Sequence, residues 1–455
     1  MAKINTTINP YTEEKIAEYA FWGEKELKHT FSLIEIDAKS WASRSIQARK
    51  DFLLALADRL DQGCRELACL LTQEMGKPIQ QAEAEVRKSA DCCRFMANHA
   101  GDWLIAKQIL GQPKAMIRYL PMGSILLISP WNYPVWQVIR CAAAQWLLGN
   151  IILLKHAPNV WGTAKKLADW VREVSQGEGI MHVLFIQESD VLKCINHHAI
   201  KGVAFTGSQK VGSIIGSMAG KALKKSVLEL GGSDAYLIFE DADLDLAAKV
   251  VVDSRMNNSG QVCIAAKRLL CSAKIYDQFL ERIIAEMRSY RMLDPMSADC
   301  RLGPLARKDL CLKLMAQVKQ SVAEGSQCII GGEMPALASG YFFQPTILAD
   351  VSDHMLPFKE ELFGPVLSMT KVENTAEMLR LANATIFGLS AALFSANTER
   401  LRDLSQHIEV GCIAINQKVS SDFRLPFGGV KQSGYGKELG SMGLQEFALV
   451  QSLVE

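Results

Sequence analysis

The sequence lacks any apolar run long enough to cross a bilayer. Its greasiest region, Cys141 to Leu154, is interrupted by Gln145, Gly149 and Asn150, well before the ~20 apolar residues that a spanning helix needs. It also lacks an excess of either charge. Fifty lysines and arginines stand against 49 acids, a formal net charge of +1, which offers no electrostatic footprint for nucleic acid or an anionic membrane. The first residues, Met1 to Thr7, have no apolar export core. The 12 cysteines follow no repeating spacing, and neither Cys92-Cys93 nor His197-His198 matches a usual zinc pattern. No disulfide framework and no metal centre are expected, and reduced thiols in the cytoplasm are. Internal repeats and low-complexity linkers are absent too. What is left is a cytoplasmic globular chain of 455 residues, enough for roughly two to four domains.

Within that frame the pattern alternates. Residues 46 to 75 carry a helical periodicity through Phe52, Leu53, Leu56, Leu60 and Leu67, closed by Gly76-Lys77-Pro78. A second helical stretch runs to about Trp103. Gly111 to Leu120 is extended and proline-punctuated, like a hairpin arm and a candidate subunit contact. From Ser124 the chain reads strand, helix, strand, helix. Buried strands are predicted at Ser124–Ile128, Ile151–Leu154, Met181–Ile186 and Gly202–Phe205. A second series follows Gly231-Gly232, with strands at Ala235–Phe239, Arg268–Cys271, Cys328–Ile330, Ala391–Phe394 and Cys412–Ile415. The tail from Phe447 to Val454 is strand-like again. Such alternation predicts α/β lobes built on parallel sheets, two of them, with a small β arm. Ligands in such sheets bind beyond the carboxyl ends of the strands.

Several loops, four of them at predicted strand ends, carry reactive residue types. Asn258-Ser259-Gly260-Gln261-Val262-Cys263 delivers one cysteine on a glycine-containing approach. It reads either as an aimed nucleophile or as a small buried hydrophobe. Pro130-Trp131-Asn132-Tyr133-Pro134 locks the Asn132 amide between two prolines, as a rigid oxyanion donor or as a plain turn former. Lys155 ends the second strand, where it reaches nucleotide oxygens or simply water. Thr206-Gly207-Ser208 opens a helix whose free amides attract phosphate, although Gly207, Gly212 and Gly216 do not make the usual dinucleotide fingerprint. Leu228-Glu229-Leu230-Gly231-Gly232 sets a carboxylate among apolar residues, as a general base or an edge-strand acid. Glu361-Leu362-Phe363-Gly364-Pro365 combines a carboxylate, a ring and a turn.

Taken in order with Pro426-Phe427-Gly428-Gly429-Val430-Lys431, these motifs resemble the signature of the aldehyde dehydrogenase superfamily over nearly the whole chain. Leu154-Lys155-His156-Ala157-Pro158-Asn159 and the stretch around Ser421-Asp422 look most like bacterial NAD(P)-linked succinate-semialdehyde dehydrogenases. The resemblance implies the aldehyde dehydrogenase fold: a Rossmann-like cofactor domain (1–102 and 122–230), a catalytic domain (231–438) and an oligomerisation arm (103–121 and 439–455). It implies Cys263 as nucleophile, Glu229 as the base that activates water, and Asn132 as oxyanion donor. It implies NAD or NADP held by Trp131, Lys155, Pro158, Gly207, Ser208, Leu230, Glu361 and Phe363, and a homodimer or homotetramer. Many NAD-preferring relatives carry a glutamate where Pro158 stands, so the cofactor reading is NAD(P).

Related semialdehyde dehydrogenases are expected to grip the substrate carboxylate with two arginines and a serine. Arg140 and Ser421 fall at two of those positions, while Asn257 occupies the third. Arg424, in the same loop as Ser421, is the candidate replacement. The expected reaction is oxidation of succinate semialdehyde. A general or glutarate-semialdehyde dehydrogenase is the alternative, since one methylene is worth only about 1–3 kcal/mol of discrimination. A cysteine hydrolase would need a histidine base near Cys263, and a silent structural protein should have lost Cys263, Glu229 or Asn132.

Overall fold

The computed structural model describes residues 3–336 and 339–455, so the reading of Met1 and Ala2 lies outside the described residues. Two open sheets dominate. The first has six strands in the spatial order Gly434–Tyr435, Lys225–Glu229, Ile200–Thr206, Ser124–Ser129, Ile151–His156, Met181–Val183. Neighbours run parallel except for the antiparallel edge strand Gly434–Tyr435. Ser124–Ser129 and Ile151–His156 are buried along their whole length, which is why both read as continuous apolar runs rather than alternating ones.

The second sheet has seven strands: Gln327–Ile330, Thr346–Ala349, Val366–Val372, Arg268–Ser272, Ala235–Ile238, Ser390–Phe394 and Cys412–Ile415. Its only antiparallel pair is the first. A separate three-stranded antiparallel sheet joins Lys107–Ile109 and Gln112–Pro121 to the C-terminal strand Ala448–Val454, with Ala448 opposite Pro121 and Val454 opposite Ala115. Among the described residues no helix is long and apolar enough to cross a membrane.

Several elements differ from the sequence expectation. The helix expected over 46 to 75 is two helices, Ile46–Gln62 and Cys64–Met75. They part at Gly63, where the Trp170 ring lies 2.3 Å from the place a Cβ would occupy. The strand expected to reach Ile186 stops at Val183. There the chain turns toward the N-terminal segment, where the Trp22 N–H donates to the Phe185 carbonyl (2.7 Å) and the Phe185 ring packs against Tyr19, Trp22 and Trp161. The helix Glu24–Ser43, the hairpin Ile4–Ile8 with Lys15–Ala20, and the strands Thr346–Ala349 and Val366–Val372 are additional to the expected elements.

Candidate active site

The loop carrying Cys263 follows the helix Leu244–Met256, which Asp243 caps by accepting from the Asp245 and Leu246 amides. Three consecutive residues then take left-handed backbone: Asn258 (φ 49°), Ser259 (φ 52°) and Gly260 (φ 76°). For a non-glycine residue that conformation costs roughly 1–2 kcal/mol. Specific bonds hold it. Asn258 Nδ2 donates to the Asn132 carbonyl (2.8 Å), the Ser259 hydroxyl to the Gly303 carbonyl (2.8 Å), and the Ala306 amide to Gln261 Oε1 (2.9 Å). The buried Arg255 guanidinium donates to the Gly260 carbonyl. A Cβ at Gly260 would lie 2.1 Å from the Gly364 carbonyl oxygen, so the loop of Glu361 and Phe363 sits directly against the loop of the thiol.

Asn132 is fixed from both sides. Its Nδ2 donates to the Gln261 carbonyl (2.9 Å), and its Oδ1 accepts from Gln137 Nε2 (3.1 Å). One Nδ2 hydrogen therefore remains uncommitted. The Cys263 backbone N–H also finds no acceptor among the described residues. The Cys263 side chain faces a cavity of about 330 Å³ whose wall includes Lys88, Tyr133, Trp136, Arg140, Ser421 and Phe427. Burial pushes the thiol up to about 12, against the opposing pull of the Arg140 and Lys267 charges.

Glu229 ends the strand Lys225–Glu229, buried to 2% exposure, with Oε1 lacking any hydrogen-bond partner among the described residues. Gly428 packs so close that a Cβ there would lie 2.6 Å from that oxygen. Burial, then the negative charge of Glu438, hold the Glu229 carboxyl well above the usual carboxylate range, while Arg140 opposes them. Arg140 is ion-paired with Glu438 and reaches the Thr206 hydroxyl (3.3 Å).

The residues expected at the cofactor gather at the carboxyl ends of the first sheet. Lys155 is buried, its charge disfavoured by desolvation, and its ammonium has no hydrogen-bond or ion-pair partner among the described residues. Ser208 caps the helix Gln209–Lys221 by accepting from the Val211 amide (3.4 Å). The Gly207 N–H donates to the Glu229 carbonyl (3.0 Å). Gly212 lets the helix start close on Leu230, where a Cβ would lie 2.3 Å from the leucine side chain. Glu361 pairs with the buried Lys267 (3.1 Å) and accepts from the Gly232 amide (3.4 Å). Trp131 and Phe363 meet edge to face at 5.9 Å. Pro158 opens a short 3₁₀ turn, its carbonyl accepting from Asn5 Nδ2 (2.8 Å). A buried ammonium without an ion-pair partner among the described residues and a helix start with cleared backbone fit an anionic dinucleotide.

Of the three residues expected at the substrate carboxylate, Arg140 and Ser421 line the cavity. Arg424 does not. Its guanidinium is 66% exposed and clamped by Asp422, with Nε 2.8 Å from Oδ1 and Nη2 2.5 Å from Oδ2. The acid two residues earlier captures the charge that loop proximity to Ser421 had suggested for the cavity. Asn257 lies in the wall, donating to the Tyr133 hydroxyl (2.8 Å).

A model of the aldehyde dehydrogenase family matches residues 2–453. The chain belongs to that family. It is 41% identical over 448 residues to the Escherichia coli NAD(P)+ succinate semialdehyde dehydrogenase Sad, covering 98% of this chain and 97% of that protein. It is 37% identical over 442 residues to the NADP+ succinate-semialdehyde dehydrogenase of Deinococcus radiodurans, covering 97% and 92%. The crystal structure of succinic semialdehyde dehydrogenase from Streptococcus pyogenes in complex with NADP+ superposes with a TM-score of 0.96 at 32% identity, over 99% of each chain.

Four residues of this aldehyde dehydrogenase site escaped the sequence reading. Glu438 and Lys267 complete the charge pattern around Arg140 and Glu361. Gln261 holds Asn132 through its carbonyl, and Lys88 contributes an amine to the cavity wall. Gln261 sits in the quoted motif and was legible as part of it. Lys88 carries no local signal, lying on the helix Ile79–His99, 333 residues from its partner Ser421.

Proposed function

We propose that this chain oxidises succinate semialdehyde to succinate with NAD+ or NADP+, through a covalent thioester on Cys263. The observation that carries the chemistry is a pair of uncommitted hydrogens on the loop of the thiol, one on Asn132 Nδ2, which is bonded to the Gln261 carbonyl two residues before Cys263, and one on the Cys263 amide. Once the Cys263 proton has passed to water, its thiolate adds to the aldehyde carbon, and the oxygen that gains the charge turns toward those two donors. When bound, NAD(P)+ would supply the hydride acceptor for this oxidation. Cys263 then holds the acyl group as a thioester. Glu229 takes a proton from water as that water adds to the acyl carbon, and the sulfur departs with the bonding pair. Lys155, Ser208 and Glu361 are the groups that would hold the cofactor, with Trp131 and Phe363 near its ring.

A hydrolytic reading fares poorly against His156. Burial pushes that ring down to about 4, and its nitrogens are taken by the Pro134 carbonyl (2.9 Å) and the Ala157 amide (2.9 Å). The substrate assignment is supported by the names of the relatives and by the cationic wall of the cavity. Self-association through the arm completes the reading, supported by exposed Leu449, Val450 and Val454 on its last strand, in the cytoplasm. Initial rates for succinate semialdehyde, glutarate semialdehyde and butanal, each with NAD+ and NADP+, test it. The highest kcat/KM is expected for succinate semialdehyde, and a preference for butanal would discard that substrate.

A further inference from the structure

The cavity that faces Cys263 holds three cationic side chains in its wall: Lys88, Arg140 and Lys418. Two of them are already neutralised. Arg140 is paired with Glu438, and Lys418 with Asp253 at 2.5 Å. Lys88 has no acid within ion-pair distance among the described residues. Of the acids on its own helix, Glu83 is taken by Arg65 and Arg87 and Asp91 by Arg94, and Glu85 cannot serve because both oxygens are spent. Glu85 Oε2 takes the buried Lys77 ammonium, and Oε1 accepts from the Val135 and Trp136 amides (2.8 and 2.9 Å). The nearest acid on the facing loop, Asp422, is committed to Arg424.

Lys88 touches an aromatic face and a hydroxyl. Its Nζ lies 4.2 Å from the Trp136 ring centre and donates to Ser421 Oγ at 2.8 Å. The same Oγ accepts from the Trp136 indole N–H at 3.0 Å. A hydroxyl oxygen that receives two donors has used its acceptor capacity, so its own hydrogen must point outward as a donor. Lys88 keeps two further N–H groups. The corner of the cavity wall formed by Lys88 and Ser421 is thus rich in unused donors, carries a net positive charge, and offers no free acceptor. That is the complement of a carboxylate.

We infer that Lys88 and Ser421 seat the distal carboxylate of the aldehyde, with Lys88 supplying the charge for which Arg424 had been the sequence candidate. This rests on the proposed oxidation of an aldehyde acid and names the residue that selects it. Burial, reinforced by repulsion from Arg140, pushes the Lys88 amine down to about 8 against the pull of Glu85, Asp422 and Cys92. An anion docked on it reverses that penalty, so binding energy is concentrated on substrates that carry one.

The test compares kcat/KM for succinate semialdehyde and for butanal, an uncharged aldehyde of the same carbon count, in the wild type, Lys88→Met and Lys88→Gln. Methionine keeps the apolar stem against Trp136, and thermal melting checks that both variants fold. The ratio of the two kcat/KM values is expected to fall about 10- to 100-fold in both variants, mainly through KM for succinate semialdehyde. A ratio within about 3-fold of wild type in both variants overturns the role of Lys88. A wild type that itself favours butanal overturns the substrate reading beneath it, and the two failures are read from different proteins.

Discussion

Arg140 and Glu438 form an ion pair with side chains only 3% and 5% exposed, and Glu229 lies within the field of both. One cation thus serves two carboxyl groups in a place where water cannot screen them. Desolvation favours the protonated form of each acid, and each negative charge raises the cost of the other. Pairing Arg140 with Glu438 leaves Glu229 as the member without an ion-pair partner among the described residues. A carboxyl whose affinity for protons is raised in this way is matched to taking one from water near neutral pH.

The first prediction follows from the sign of that coupling. Replacing Glu438 by glutamine removes the negative charge that helps raise Glu229 and leaves Arg140 with no other acid to serve. Both changes lower the Glu229 pKa. In the proposed role Glu229 acts as a base only when deprotonated, so the acidic limb of the pH–kcat profile is expected to move to lower pH in Glu438→Gln. An unchanged limb, or one moved upward, would show that Glu438 does not tune the base.

Which parts of this site could be read from the sequence follows from how local each one is. Asn132 and Glu229 stand at or just past strand ends and Cys263 in a loop after a helix, each inside a contiguous motif, and the motifs taken together in order marked them. Lys88 and Glu438 become site residues only when chain segments far apart in sequence meet, as Lys88 and Ser421 do across 333 residues. Arg424 shows the opposite error, since closeness in sequence to Ser421 said nothing about Asp422 capturing the guanidinium. Most strands of the two sheets were legible because buried parallel strands are plain apolar runs, whereas Val366–Val372, interrupted by Ser368, Thr370 and Lys371, was not. The helix Glu24–Ser43 was not, because its buried face includes Thr30 and Ala38 and contrasts weakly with its polar side. The left-handed backbone at Asn258 and Ser259 had no signal beyond residue types that tolerate it.

The exposed position of Arg424 gives a second prediction. Its ion pair with Asp422 is solvent-accessible, and water screens such a pair to little net effect. Arg424→Ala is expected to leave the preference for succinate semialdehyde over butanal within about 2-fold of wild type. Selective loss of succinate semialdehyde activity would return Arg424 to the carboxylate site.

Gly260 allows a third. Alanine there would have to adopt φ +76° and place its Cβ 2.1 Å from the Gly364 carbonyl oxygen. One of the two loops must shift, and the shift moves the thiol relative to Asn132 or Phe363 relative to the thiol. A displacement near 1 Å at a reacting centre costs on the order of 100-fold in rate. Gly260→Ala is expected to lower kcat to that extent and to reduce the melting temperature. Wild-type values for both would mean that the loops relax without disturbing the site.

The resting thiol gives the last prediction. With Cys263 pushed up to about 12 by burial, the reactive thiolate makes up only about one part in 10⁴ at pH 8. An unperturbed thiol at the same pH would be about a quarter ionised. Alkylation of Cys263 by iodoacetamide in the cofactor-free protein, followed by mass spectrometry of its own peptide, should therefore be slow. Its rate should climb about tenfold per pH unit from 8 to 10 without levelling. A plateau by pH 9 would place the thiol near its ordinary range and leave Arg140 and Lys267 as the dominant influence. The steep climb would mean that the site is assembled in a guarded state. In that state Cys263 is spared from adventitious oxidation and alkylation, and ionisation has to be driven by what binds beside it.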